Sequence, residues 1–212
     1  MPDERRMTTC KRIILLGSLA LVGCGTSGSD QGAAAELIGT WQRLDDGGTV
    51  RDEFTFGADS SYAFDERGGG ENEDHIVGTF TIVDGVIITE GDGFTQRMTY
   101  AIDGDRLAPG AGVRIDGDPG ELPGTYRAEL EWRADGSAYG GTSENELRED
   151  GTAQHREQSV DGTSATFDGT WVYDTAADTY VMDLEVSPSQ NVRLTFEFRA
   201  DAIGSFDWVK RP

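Results

Sequence analysis

The chain of 212 residues has only two cysteines, two histidines and six prolines. Cys10 lies among basic residues at the start, so no cysteine pair remains beyond Cys24 to form a disulfide. Stability then has to come from a packed core, and a chain this long can bury one without covalent staples. Basic residues are also scarce, 18 against 39 acidic, for a formal net charge of -21. Beyond residue 23 the counts are 14 and 37. Such a surface repels nucleic acid and anionic lipid heads, which excludes nucleic acid as a partner. No Gly-x-Ser-x-Gly elbow, phosphate-binding loop or dinucleotide fingerprint is present, so neither catalysis nor a cofactor is expected.

Long apolar runs are absent too. The longest, Ile13 to Val22, spans ten residues, about half of what crosses a bilayer as a helix. It follows Arg5, Arg6, Lys11 and Arg12 and ends in Leu21-Val22-Gly23-Cys24. A basic start, a short apolar centre and small residues before a cut are the marks of an export signal. The ending resembles the lipobox of bacterial lipoprotein precursors. That resemblance implies a signal peptide over 1–23, cleavage between Gly23 and Cys24, and a diacylglycerol on the Cys24 thiol, usually with further acylation by a chain such as palmitate. Two or more acyl chains anchor a protein stably to a membrane. Gly25, where Asp marks inner-membrane retention in the known sorting rule, implies outer-membrane delivery in a cell with two membranes. Residues 24–35 then read as the lipidated cysteine and a flexible tether, small and polar.

Short alternating runs separated by turn residues fill the rest. Tyr126, Ala128, Leu130 and Trp132 alternate with charged residues; Tyr180, Met182 and Leu184 alternate with Val181, Asp183 and Glu185, and Leu194, Phe196 and Phe198 with Arg193, Thr195, Glu197 and Arg199. Met98, Tyr100 and Ile102 alternate with Thr99 and Ala101. Period two with one apolar face predicts half-buried antiparallel strands. Asp84-Gly85, Asp103-Gly104, Asp135-Gly136 and Asp150-Gly151 predict the turns. No helical period is sustained after residue 40, and at most Ala33 to Leu37 forms a turn of helix.

Three motifs recur in the same order. Glu36-Leu37-Ile38-Gly39-Thr40-Trp41 returns as Glu121-Leu122-Pro123-Gly124-Thr125-Tyr126. Gly78-Thr79-Phe80 returns as Gly169-Thr170-Trp171, and the run from Arg97 to Ile102 as Arg193 to Phe198. Such order predicts an internal duplication, with a first β domain over 36–110, a linker over 111–120 and a second β domain over 121–212. The growing offset places loop insertions in the second copy, one of them the hairpin near Gly136 to Thr142. The Gly39-Thr40-Trp41 opening, with Phe54, Phe56, Tyr62, Phe64 and Gly78-Thr79-Phe80, resembles small bacterial lipocalin-like domains. The resemblance implies an all-β, antiparallel fold of two duplicated small barrels; one larger barrel or sandwich made from both copies is the alternative. It implies also a non-catalytic binding module for a small apolar or amphipathic ligand. A ligand-free structural or protein-interaction lipoprotein of the cell envelope is the competing expectation. Tyr126 replaces the tryptophan in the second copy, which makes the first the better candidate for a pocket. Trp41, Phe80, Tyr126 and Trp171 read as core.

His75 and His155 read as exposed loop residues. Asp116, Asp118 and Glu121 faintly resemble a calcium loop, but its sixth and twelfth positions are wrong, so no metal site is expected. Glu71, Glu73 and Asp74 read as a solvated loop, and Glu129 and Glu131 as a solvated face.

Overall fold

The computed structural model describes residues 34–67, 75–91 and 93–212. The signal, Gly23, Cys24, the tether up to Ala33 and the loop carrying Glu71, Glu73 and Asp74 lie outside the described residues. Residues 34–37 form one helical turn, and everything else regular is strand. No helix among the described residues is long and apolar enough to cross a membrane.

The strands are β1 (Gly39–Leu44), β2 (Val50–Phe56), β3 (Ser61–Glu66), β4 (His75–Val83), β5 (Val86–Gly91), β6 (Phe94–Asp103), β7 (Arg106–Pro109), β8 (Gly112–Asp116), β9 (Gly124–Ala134), β10 (Ser137–Leu147), β11 (Thr152–Ser159), β12 (Ser164–Asp174), β13 (Thr179–Ser187), β14 (Gln190–Arg199), β15 (Ala202–Gly204) and β16 (Trp208–Lys210). All pairings are antiparallel. β1 to β7 pair in chain order, and β16 pairs with both β7 and β1. The result is a closed eight-strand barrel, the first ring, which leaves no free edge. β9 to β15 also pair in chain order, and β8 pairs with both β15 and β9. This second ring joins the first where β6 pairs with β9, Phe94 opposite Ala134 through Met98 opposite Leu130.

Local chemistry explains the hairpins. Asp84 and Gly85 have φ of 52° and 76°, and Asp135 and Gly136 have 51° and 78°. Two consecutive left-handed residues make the turn whose twist matches that of its flanking strands. Gly78 and Gly169 serve a different need. A Cβ on either would stand 2.0 Å from a carbonyl oxygen, that of Glu90 or of Asp183. Only glycine allows such a close crossing of strands.

Two cores result. Leu37, Trp41, Phe54, Phe56, Tyr62, Phe80, Ile87, Met98, Leu107 and Trp208 fill the first ring. Leu122, Tyr126, Leu147, Ala153, Met182, Leu184, Phe196 and Ile203 form the second, with Trp171 packed against it. Between the rings lies a small cluster of Ala101, Ala108, Ala111, Ala202 and Phe206. Here Thr99 Oγ1 donates to the Ala111 carbonyl at 2.6 Å and accepts from the Glu129 N–H at 3.0 Å. Thr99 and Ala101, predicted on the polar side of their strand, are therefore buried, because β6 has a neighbour on each face.

Three sequence expectations change. Gly112–Asp116 lies within the expected linker but is a strand of the second ring. The C-terminal Trp208–Lys210 falls within the expected second domain but closes the first ring. Leu130 and Trp132 follow the alternation of Tyr126 yet are 41% and 37% exposed, because the β9–β10 hairpin outruns the ring.

Candidate functional site

Each ring is closed at one end by an aromatic on its opening strand. Trp41 Nε1 donates to the Leu37 carbonyl at 2.8 Å. Tyr126 donates its hydroxyl to the Leu122 carbonyl at 2.6 Å. A cation from the ring's closing strand covers each aromatic: Lys210 Nζ lies 5.0 Å from the Trp41 centroid, and the Arg114 guanidinium 4.9 Å from that of Tyr126. Lys210 donates to the Glu36 carbonyl at 2.8 Å, and Arg114 donates to those of Pro123 and Glu121. Gly39 and Gly124 make room, since a Cβ there would stand 2.8 Å from Lys210 Cε or 2.5 Å from Arg114 Nη1. Burial pushes the Tyr126 hydroxyl up to about 12, with Arg114 opposing it, and pushes that of Tyr62 higher still. Trp41, Phe80 and Tyr126 are core residues and Trp171 packs against the core.

The other ends differ. In the first ring Phe54 stands opposite Trp41 and Phe64 opposite Phe54. Phe54 packs at 4.9 Å from Phe64 and at 4.3 Å from Trp208, ring centroid to centroid. Above them Arg43 binds the buried Asp52 carboxylate and lies 5.4 Å from the Trp208 centroid. A recess of about 610 Å³ next to Arg43 is lined chiefly by charged side chains and stops at this seal.

In the second ring the same register positions carry different residues. Asn145 stands opposite Tyr126, where Phe54 stands opposite Trp41. His155 stands opposite Asn145, where Phe64 stands opposite Phe54. Gly112 pairs with Ile203 as Trp208 pairs with Leu107. One step outward Ala128 and Ser143 pair, as Arg43 and Asp52 do. Three aromatic plugs and an ion-pair seal are replaced by small or polar side chains.

The consequence is a recess. Its inner chamber, about 210 Å³, is lined by Gly112, Asn145, His155, Met182, Leu194 and Phe196, among others. Its outer chamber, about 370 Å³, is bounded by Leu130, Gly140, Gly141, Glu157 and Ser159, among others. The chambers share Gly110, Ala128 and Ser143. His155 crosses the wall, with Nδ1 at 2.7 Å from Asn145 Oδ1 and Nε2 at 2.9 Å from Glu157 Oε1. Its ring stacks on Phe167. Asn145 and His155 are buried, and Glu157 is exposed at the mouth. Beyond it the longer β9–β10 hairpin carries Trp132 and Tyr139, exposed and stacked at 5.9 Å. This volume suits a small ligand held by apolar walls and a few convergent polar groups.

His155 is thus a buried strand residue rather than an exposed loop one. A polar strand inside a ring lacks the apolar alternation that marks strands. The signal was in the pairing of Ser143, Asn145 and Leu147 with Glu157, His155 and Ala153, which read inward together. His75 is exposed as expected, but it opens β4, with Nδ1 at 2.5 Å from Asp65 Oδ1. Glu129 and Glu131 bind Arg97 and Arg133 on the outer side of β9. Asp116, Asp118 and Glu121 are exposed, and no three His, Cys, Asp or Glu among the described residues are placed to hold a metal.

Compared with models of known families, with curated proteins and with solved structures, the chain matches none.

Proposed function

We propose that this chain is a membrane-anchored envelope lipoprotein whose second ring is a binding module for a small amphipathic ligand. One observation carries the binding reading. Where the first ring is filled by Phe54, Phe64 and Trp208, the second presents Asn145, His155 and Gly112 around an open recess. Asn145 and His155 satisfy each other by a hydrogen bond, so their burial is tolerated, and polar side chains in place of aromatics in one ring alone fit a recognition role.

The finer architecture belongs to the same reading. The rings are taken as two duplicated lipocalin-like barrels, supported by the matching closures at Trp41 with Lys210 and Tyr126 with Arg114. Each then borrows its eighth strand from the other copy. The first barrel serves as a filled support and the second as the receptor. Anchoring through lipid on Cys24, in the outer membrane, rests on the basic start, the apolar run and Leu21-Val22-Gly23-Cys24. The exposed Trp132 and Tyr139 favour a second reading, in which the hairpin docks a protein partner.

Native mass spectrometry of protein purified from its own cells tests the proposal, with Ser143→Phe as the blocked control. The expected result is a small carried molecule on the natural protein and none on the variant. Equal occupancy of both, or none on either, would overturn the recess as the site.

A further inference from the structure

The proposal above leaves the head group of the ligand open, and the charge distribution around the recess addresses it. In the second ring the inward positions of β9 hold Tyr126, Ala128, Leu130 and Trp132. Those of β10 hold Tyr139, Gly141, Ser143, Asn145 and Leu147, and those of β11 Ala153, His155, Glu157 and Ser159. No lysine or arginine lines either chamber. Among the described residues the guanidinium that packs into this core is Arg114, at the end where the chain enters β9, committed to the Pro123 and Glu121 carbonyls and the Tyr126 hydroxyl. Arg127 and Arg156 point outward, to Glu144 and Glu146. Among the described residues the one carboxylate lining the chambers is that of Glu157, exposed and with Oε1 at 2.9 Å from His155 Nε2.

An anionic head would meet no lysine or arginine in either chamber, Arg127 and Arg156 lying in an adjoining groove beside Glu144, and would approach through the field of a chain with net charge -21. A cationic head would meet the opposite arrangement. Glu157 offers a carboxylate, and Ser143 and Ser159 offer hydroxyls. The inner chamber is apolar apart from Ser143, Asn145, His155 and Thr195, with Met182, Leu194, Phe196 and Ile203 to receive a hydrocarbon tail.

We infer that the second ring binds cationic amphiphiles, an alkyl amine or quaternary ammonium head at Glu157, with the tail in the inner chamber. This rests on the recess being the ligand site. The test uses the full chain and three probes of equal tail length, each below its micelle concentration: dodecyltrimethylammonium, dodecanoate and dodecyl maltoside. Isothermal titration should show the ammonium binding about tenfold tighter than either of the others. Glu157→Gln, a change at an exposed side chain, should reduce that preference to about threefold or less. Ser143→Phe should abolish binding of all three. If dodecanoate or the maltoside binds as tightly as the ammonium, and Ser143→Phe still abolishes it, the head-group inference falls while the recess stands. If no probe binds in a manner that Ser143→Phe abolishes, the recess reading falls and this inference with it.

Discussion

Converting the second ring into a copy of the first offers a quantitative check on why it is open. The double variant Asn145→Phe/His155→Phe would restore the Phe54–Phe64 pair, whose centroids lie 4.9 Å apart. Each single change has a defined fault. Asn145→Phe leaves His155 Nδ1, now 2.7 Å from Asn145 Oδ1, without its partner. A stranded buried polar atom costs about 1–3 kcal/mol, which offsets most of the apolar gain. His155→Phe strands Asn145 in the same way, while Glu157 is exposed and returns to water. In the double variant nothing is stranded, and removing both partners of a hydrogen bond is close to neutral. Burying a phenyl group contributes about 1.5–3 kcal/mol, and a new aromatic pair about 0.5–1.5 kcal/mol. The inner chamber of about 210 Å³ accepts the added atoms without overpacking. The expected outcome is near-neutral single variants and a double variant more stable by about 2 kcal/mol, with a rise in Tm of about 4–8 °C. Urea unfolding followed by tryptophan fluorescence and far-ultraviolet circular dichroism measures it, with unchanged m as the control. A double variant destabilised by more than about 1 kcal/mol, or single effects that simply add, would refute the reasoning.

Two further outcomes follow from burial elsewhere. Trp208 is only 6% exposed and packs 4.3 Å from Phe54 on the last strand of the first ring. Trp208→Ala should cost about 3–5 kcal/mol in the same urea assay; a loss under about 1 kcal/mol would mean that β16 does not close the ring. Tyr126 ionises at about 12 in the folded chain, against about 10 when unfolded. A raised value favours the neutral phenol in the fold, so its contribution is complete below pH ~10 and is lost as pH rises toward 12. Phenolate absorbance and the strand signal should therefore change together in that window. Ionisation of all six tyrosines with the strand signal intact would contradict it.

Much of the framework was legible because it rests on local pattern. Strand alternation at Leu194, Phe196 and Phe198, the Asp-Gly turns, and the paired Gly-Thr-aromatic openings all correspond to elements of the fold. The strand that closes the first ring was not legible. Trp208-Val209-Lys210 is too short to show a period, and its partners Trp41 and Leu107 lie far away in the chain. The recess was misplaced for a related reason. Tyr126 in place of tryptophan directed attention to the first copy, yet what opens a ring is the loss of Phe54, Phe64 and Trp208 equivalents. Two of those substitutions, Asn145 and His155, sit on strands whose inward sides are polar and so carry no hydrophobic signature. Leu130 and Trp132 kept the right phase but lay beyond the rim, where alternation persists without burial.

Lys210, on the last strand, pairs with Trp41 near the beginning of the described chain. The second ring uses residues no later than Gly204, so a growing chain can finish it while the first still gapes. Only when the last residues are made can Trp208 slide beside Phe54 and shut that earlier half. Such distant pairing makes closure a late, slow event. Without Trp208–Lys210 the aromatics of the first ring, Phe54 among them, would lie open to water.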